Sequence, residues 1–424
     1  MPDMGQLDHD IHALNKGNDS SRKQALHSLK ERKESEWADA SPAAVDSVVE
    51  ALRRHLLSET TPPAVRQEIV TILGKIGPRS VSALPQIIDM LKDGVPDAIR
   101  ESVAKALGKI GRESKGAVDQ LIKLLSHSRA ALVVQAARAL GDIGCADQRV
   151  RTALSNIWLS PVASQNVQLE AAIALCKLKV DVEGLLRFLT GTLATNQEVS
   201  RRKSAAEALS FCNKNELDVV PALLTAVLKD KNDEVRQTAQ TALDQLGVSQ
   251  DKAIQLCAKQ LKDSAYAETA LRKSGLPAVA ALIKAVASDD AAVREKAVRI
   301  LGGLGEIGAA AAPALTKALQ DKEMEIRLES AKALWNVSKS PDLVVPVLVE
   351  LLEEKWVIAE DTSEARRRFL QTVIEALWRI GPPAKAAIPA LAKKAKDKNR
   401  LVSETAISAL KEIEPKVANK AVMR

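Results

Sequence analysis

Aromatic residues are scarce: Phe, Trp and Tyr together make up 2% of the 424 residues. A bulky globular core is not built from so few rings. Thin, closely packed helix layers want small side chains, and alanine-rich aliphatics supply most of the 46% hydrophobic share. Cysteine is sparse too. Cys145, Cys176, Cys212 and Cys257 are scattered with no CxxC spacing, which argues for reduced thiols used as small side chains in an intracellular, cytoplasmic protein. No apolar run approaches the 18 residues that a membrane span needs, and the opening MPDMGQLDHDIHALNKGND is too polar for a signal segment, so no membrane insertion is expected. The usual catalytic signatures are missing as well: there is no G-x-S-x-G, no Walker A and no G-x-G-x-x-G. The DHDIH run sets His9 and His12 three apart, which leaves a metal site short of a third fixed ligand. The expectation is a chain with no catalytic residues, no metal and no cofactor.

What the sequence does have is one stretch, repeated with drift. Val235 to Gly247 reads VRQTAQTALDQLG, Val65 to Gly77 reads VRQEIVTILGKIG, Ile99 to Gly111 reads IRESVAKALGKIG, and Val293 to Gly305 reads VREKAVRILGGLG. The pattern is φ-R-x-x-A-x-x-A-L-x-x-φ-G, with φ aliphatic. Its starts fall at 65, 99, 132, 167, 201 and 235, then at 293, 326, 369 and 402. A steady period of 33 to 35 residues is the signature of stacked helical repeats. Each unit predicts a first helix A, a short turn, and a second helix B that carries the motif. The A helices have a signal of their own, seen at Val220-Pro221-Ala222-Leu223, Ala312-Pro313-Ala314-Leu315 and Ile388-Pro389-Ala390-Leu391. Gly77 and Gly111 are expected to close their helices as left-handed caps.

The A-helix φ-P-x-L signal followed by D-x-x-x-x-V-R-x-x-A-x-x-A-L-x-x-φ-G resembles the HEAT-repeat family, and within it the short bacterial units also found in phycobilin lyases. The resemblance covers roughly residues 43–414 and implies an all-α fold, a right-handed α-solenoid of about ten to eleven helix pairs. Ankyrin repeats need a T-P-L-H-x-A hairpin, and tetratricopeptide repeats need fixed large aromatics; neither is present. The expected organisation is a flexible N-terminus at 1–19, an N-terminal helix or cap at 20–42, the solenoid at 43–414, and a flexible tail at 415–424. The seventh repeat is short, with Asp263–Gly275 expected to act as a hinge. The tenth carries an insertion near 353–365. Metal-dependent hydroxylases built on such repeats need His-Glu pairs, and none of the five histidines is followed by Glu.

Two sets of residues invite a role. At motif position 2 stand Arg66, Arg100, Arg202, Arg236, Arg294 and Arg327, with Asp230 and Asp321 six residues before two of them. The family pattern implies a structural ladder in which each Arg pairs with the Asp of the turn; Val133, Gln168, Leu370 and Ser403 break the row. On a helix wheel, motif positions 3, 7 and 10 fall opposite the core positions and should line the concave wall. Early repeats place Gly at position 10, whereas the ninth and tenth place Trp335 and Trp378 there. With Leu328, with Trp356 of the insertion and with Arg366, Arg367 and Arg368, these make the expected site for a protein or peptide segment bearing acidic and apolar groups. Leu169 and Ile173 form a second apolar spot on the same wall.

The formal net charge is +7, and residues 360–424 alone hold 14 Lys and Arg against 8 Asp and Glu. That basic C-terminal tip makes nucleic acid the alternative partner. Against it, Glu101, Glu207, Glu295, Glu375 and Glu404 on the wall would repel phosphates. An accessory subunit of a chromophore lyase is a further alternative. The reading is a non-catalytic scaffold that binds protein or peptide segments on its B-helix face.

Overall fold

Every regular element among the described residues, 4–353 and 363–415 of the computed structural model, is helical. The chain divides into two units, residues 1–213 and 214–424. The first contains α1 (Met4–Lys16), α2 (Asp19–Glu31), α3 (Glu34–Asp39), α4 (Pro42–Leu57), α5 (Pro63–Ile76), α6 (Leu84–Asp89), α7 (Asp97–Ile110), α8 (Val118–Leu124), α9 (Ala130–Ile143), α10 (Gln148–Leu159), α11 (Gln165–Lys177), α12 (Leu185–Thr195) and α13 (Val199–Leu209). The second contains α14 (Val219–Lys229), α15 (Asp233–Gln245), α16 (Gln250–Lys259), α17 (Ala265–Ser274), α18 (Val279–Val286), α19 (Ala291–Gly303), α20 (Ala312–Ala318), α21 (Met324–Ser338), α22 (Pro341–Glu353), α23 (Ser363–Ile380), α24 (Ile388–Lys394) and α25 (Arg400–Ile413).

From α4 onward the helices alternate as A and B, five pairs in the first unit and six in the second. Each unit is an α-solenoid, in which a B helix packs on its own A helix and on neighbouring B helices. The motif dictates this. Its position-9 leucines, Leu73, Leu107, Leu140, Leu175 and Leu209 in the first unit and Leu301, Leu334, Leu377 and Leu410 in the second, are completely buried. Each such burial stabilises by about 1.5–3 kcal/mol. Polar caps fix where the helices start. Ser41 Oγ accepts from the Ala44 amide before α4, and Asn232 Oδ1 accepts from the Glu234 and Val235 amides before α15.

The glycines that end α5 and α7 depart from the expected cap. Gly77 and Gly111 have φ of 72° and 76°, as foreseen, but ψ of −137° and −138°. That conformation, reserved for glycine, turns the chain directly into 3₁₀ segments, Gly77–Ala83 and Gly111–Ala117, which lead into the next A helices.

The N-terminus also differs from expectation. Residues 4–16 form α1 rather than a frayed end, because Leu7 and Leu14 are buried and His55 Nε2 lies 2.9 Å from the Leu14 carbonyl. In the DHDIH run, Asp10 is buried and accepts from Gln6 Nε2 at 3.0 Å and Ser28 Oγ at 2.8 Å, so it ties α1 to α2. The cap at 20–42 is two helices, α2 and α3, with Trp37 of α3 buried under the Arg32 guanidinium. The short seventh repeat is α16 and α17, ten residues each. Residues 354–362 of the insertion, and the expected tail apart from Pro415, lie outside the described residues.

Candidate functional site

The arginine row is settled by where each guanidinium goes. Arg66 donates through Nη2 to the Ser58 carbonyl at 2.9 Å and through Nε to the Thr61 carbonyl at 3.1 Å. Arg202 reaches the Asn196 carbonyl, Arg236 the Asp230 carbonyl, Arg294 the Ser288 and Asp289 carbonyls, and Arg327 the Asp321 carbonyl. Each of these carbonyls lies just past the C-terminal end of the A helix in the same repeat. A planar fork reaches two orphan carbonyls at once, and its charge suits the negative end of the helix dipole. So the Arg of motif position 2 caps its own A helix. Arg100 is the variant: it bonds the carboxylates of Asp93 and Asp97, and with Asp97 it holds that carboxyl below its ordinary range.

For Asp321 the pairing takes a different form from the one expected. Asp321 gives its carbonyl to Arg327 of its own repeat, and its carboxylate to Arg294 of the repeat before, at 2.7 and 2.9 Å. Both side chains of that bidentate pair are about nine-tenths buried. Burial pushes the Asp321 carboxyl up, but the Arg294 fork and the Glu323 amide outweigh it and hold the group low. Gln168, which breaks the row in sequence, does the same work with an amide: its Nε2 donates to the Ser160 carbonyl at 3.0 Å, just past α10.

Where motif position 10 is glycine it is a packing position rather than a wall position. A Cβ built on Gly74, Gly141 or Gly302 would stand 2.8–2.9 Å from the Cα of Ala106, Ala174 or Ala333, the position-8 alanine of the next B helix. On Gly108 it would stand 3.2 Å from Ala139 Cα. Glycine at 10 and alanine at 8 form a seam that lets neighbouring B helices touch backbone to backbone. A B helix in a stack is flanked on two sides as well as on its core face, so more than one face is buried. The same flanking buries Leu169 and Ile173 to 2% and 7% exposure, so the second apolar spot is not a surface. Leu328, at 4%, is likewise core rather than patch. Position 7 stays open in other repeats, as Lys105, Arg138, Glu207 and Arg299 show, whereas in the fourth repeat it holds the buried Ile173.

In the ninth repeat the seam carries Trp335, and a ring stands where glycine would let α23 close on α21. The result is an apolar cavity of about 90 Å³ between α21, α22 and α23. Trp335, Val344, Leu348, Ala376 and Ile380 give its apolar lining, and Lys332, Thr372, Glu375 and Arg379 its polar part. Trp335 is half-buried, and the Lys339 ammonium sits 5.3 Å from its ring centroid. Lys332 is paired with Glu329 at 2.7 Å.

The other residues expected here are only partly gathered. Trp378 is 47% exposed but does not line the cavity. Arg367 and Arg368 both bond Glu364, which holds that carboxyl below its ordinary range. Arg368 lies one turn before Thr372 on the stripe that faces the cavity, and Arg366 lies near Lys394. Trp356 falls outside the described residues. Sequence reasoning missed Val344, Leu348 and Ile380. It also missed a polar pocket of about 370 Å³ in the first unit, where Arg138 forks onto the buried Glu170 beside Lys177 and Glu207.

Among solved structures, the complex of CpcE and CpcF of phycocyanin lyase from Nostoc sp. PCC7120 is similar over 60% of this chain and 93% of its own, at 23% identity and a TM-score of 0.42. Kap95p, from a structure of its binding to RanGDP, is similar over 99% of this chain and 64% of its own, at 13% identity and a TM-score of 0.38. Human deoxyhypusine hydroxylase in complex with glycerol is similar over 88% of this chain and 98% of its own, at 21% identity and a TM-score of 0.29. No curated protein matches the sequence. The family model for HEAT repeats matches residues 8–108, 49–141 and 279–365, together just over half of the chain. Those segments fall in both units and run along the helix pairs that carry the motif: this chain is a member of the HEAT-repeat family.

Proposed function

We propose that this chain is a non-catalytic adaptor of the cytoplasm that holds a protein or peptide segment, and that the segment anchors in the cavity beside Trp335. The supporting observation is the break in the seam. The glycine–alanine contacts leave no room between α19 and α21, and a tryptophan opens an apolar cavity one helix later. The basic groups at it, Lys332, Lys339 and Arg379, outnumber the acidic Glu375 and Glu329. A ligand that fits carries one aliphatic or aromatic anchor with acidic residues beside it. Desolvated pockets next to Trp and Arg are where binding energy concentrates.

The test is peptide display on the immobilised protein, with Ala376→Leu as a cavity-filling control. Selected peptides are expected to share an apolar anchor flanked by Asp or Glu. They should lose at least tenfold in affinity against the variant at an unchanged melting temperature, and weaken with added salt. Equal binding to the variant would overturn the reading. A nucleic-acid partner is favoured by one observation: residues 360–424 hold 14 Lys and Arg against 8 Asp and Glu, a concentration of positive charge toward the C-terminal end. Salt-sensitive gel shifts that Lys394→Glu abolishes would establish it.

A further inference from the structure

Cys176 and Cys212 come from adjacent repeats, yet their sulfurs lie 3.6 Å apart. Cys176 is at motif position 10 of α11, on the seam where α5, α7 and α9 carry glycine. Cys212 stands just past the end of α13, at position 12 of its own motif, and its thiol also lies 3.7 Å from the Ala208 carbonyl. Their chain neighbours meet too, since the Lys177 ammonium lies 5.4 Å from the Phe211 ring centroid. Both thiols are reduced in the structure. A disulfide bond is about 2.05 Å long, so the sulfurs need close only by about 1.5 Å.

We propose that Cys176 and Cys212 form a reversible dithiol–disulfide pair, a redox modification site that staples the seam between the fourth and fifth repeats. Cys212 is half-exposed and Cys176 buried, so Cys212 meets the oxidant first. The oxidant is a small-molecule disulfide. The Cys212 thiolate attacks one of its sulfurs, and the first small thiol leaves and takes up a proton. The Cys176 thiolate then attacks the Cys212 sulfur and expels the second small thiol. Two protein thiols are oxidised by two electrons, and one small disulfide is reduced to two thiols. The bond fixes the spacing of α11 and α13, whose Lys177 and Glu207 line the polar pocket of the first unit. The other two cysteines are internal controls. Burial pushes the Cys257 thiol up to about 12, and Cys145 has an aspartate rather than a second sulfur beside it.

The experiment treats the full chain with oxidised glutathione and maps the peptides by mass spectrometry without reduction. The expected result is a 176–212 cross-link two mass units below the sum of the reduced peptides, reversed by dithiothreitol. The oxidised wild type should also melt at a higher temperature than the reduced form, a rise that neither Cys176→Ser nor Cys212→Ser shows. A glutathione adduct that persists on Cys212, or oxidation that goes to Cys145 instead, would overturn the proposal. The central readout uses the wild type, so it stands even where a variant folds poorly.

Discussion

The α9–α11 seam of the first unit and the α21–α23 junction of the second use the same motif position for opposite ends. At the first, Gly141 lies so close to Ala174 that no side chain fits between the helices. At the second, Trp335 occupies the equivalent place, and a cavity of about 90 Å³ lies beside it. The alanine at position 8 is present in both cases, as Ala174 and Ala376. At these two junctions the same motif position thus goes with opposite packing, a closed core beside glycine and a cavity beside tryptophan. A solenoid whose neighbours interact only pairwise tolerates this, because a local gap does not propagate.

The sharpest way to break the comparison is Gly141→Leu. Its Cβ would meet the Ala174 backbone, which has no flexible end to yield, so a loss of about 3 kcal/mol is expected in urea unfolding. Next comes Asp321, whose carboxylate ties α19 to the turn before α21, the junction that also has the Gly302–Ala333 contact. Asp321→Ala strands the buried Arg294 guanidinium and should cost about 3 kcal/mol. The pair also has a pH signature. Folding holds the Asp321 carboxyl below its ordinary value of about 3.9, so on acidification the unfolded chain takes up this proton first. The contribution is complete above that value and is lost as the pH falls through the depressed folded one. Asp321→Asn should flatten that part of the stability profile below about pH 4 and leave its shape near neutrality unchanged.

Trp335→Gly tests the same motif position from the other side. It restores the glycine–alanine pattern, and α23 should settle toward α21 as α11 settles on α9. The ring is only half-buried, so the stability loss should be about 1–2 kcal/mol, less than full burial of an aromatic would imply. Hydrogen exchange along α23 should slow as the cavity closes, and the anchored peptides should no longer bind. Unchanged exchange would mean that the tryptophan fills a gap set by other residues.

The fold was legible because the motif is long and recurs: buried leucines at position 9 and arginines at position 2 fix helix pairs without help from tertiary detail. The site was legible only in part. Trp335 drew notice as a large residue in a row of small ones, but its function depends on the next helix, and a single helix wheel holds no information about neighbours. The pairing of Gly at position 10 with Ala at position 8 one period later was the available signal. The same blindness made Leu169, Ile173 and Leu328 look exposed. It also hid the carbonyl partners of the arginines, since these lie on backbone atoms that every residue has.

The smallest expected effect concerns the gap in the arginine row. Gln168 already donates to the Ser160 carbonyl, so the fourth repeat differs from its neighbours in charge and reach rather than in contact. An arginine here would add a cation at the C-terminal end of α10 and a second donor for the Trp158 carbonyl, which the amide reaches at only 3.4 Å. Charge at a helix end contributes about 0.3–1 kcal/mol when exposed to solvent. Gln168→Arg should therefore stabilise by about 0.5 kcal/mol, a gain that shrinks in high salt, whereas Gln168→Ala should lose about 1 kcal/mol at any salt. Guanidinium chloride would mask this difference, because it is itself a salt; urea titrations at two ionic strengths reveal it. A salt-independent gain for the arginine would mean that its stem, packing along α11, does more than its charge.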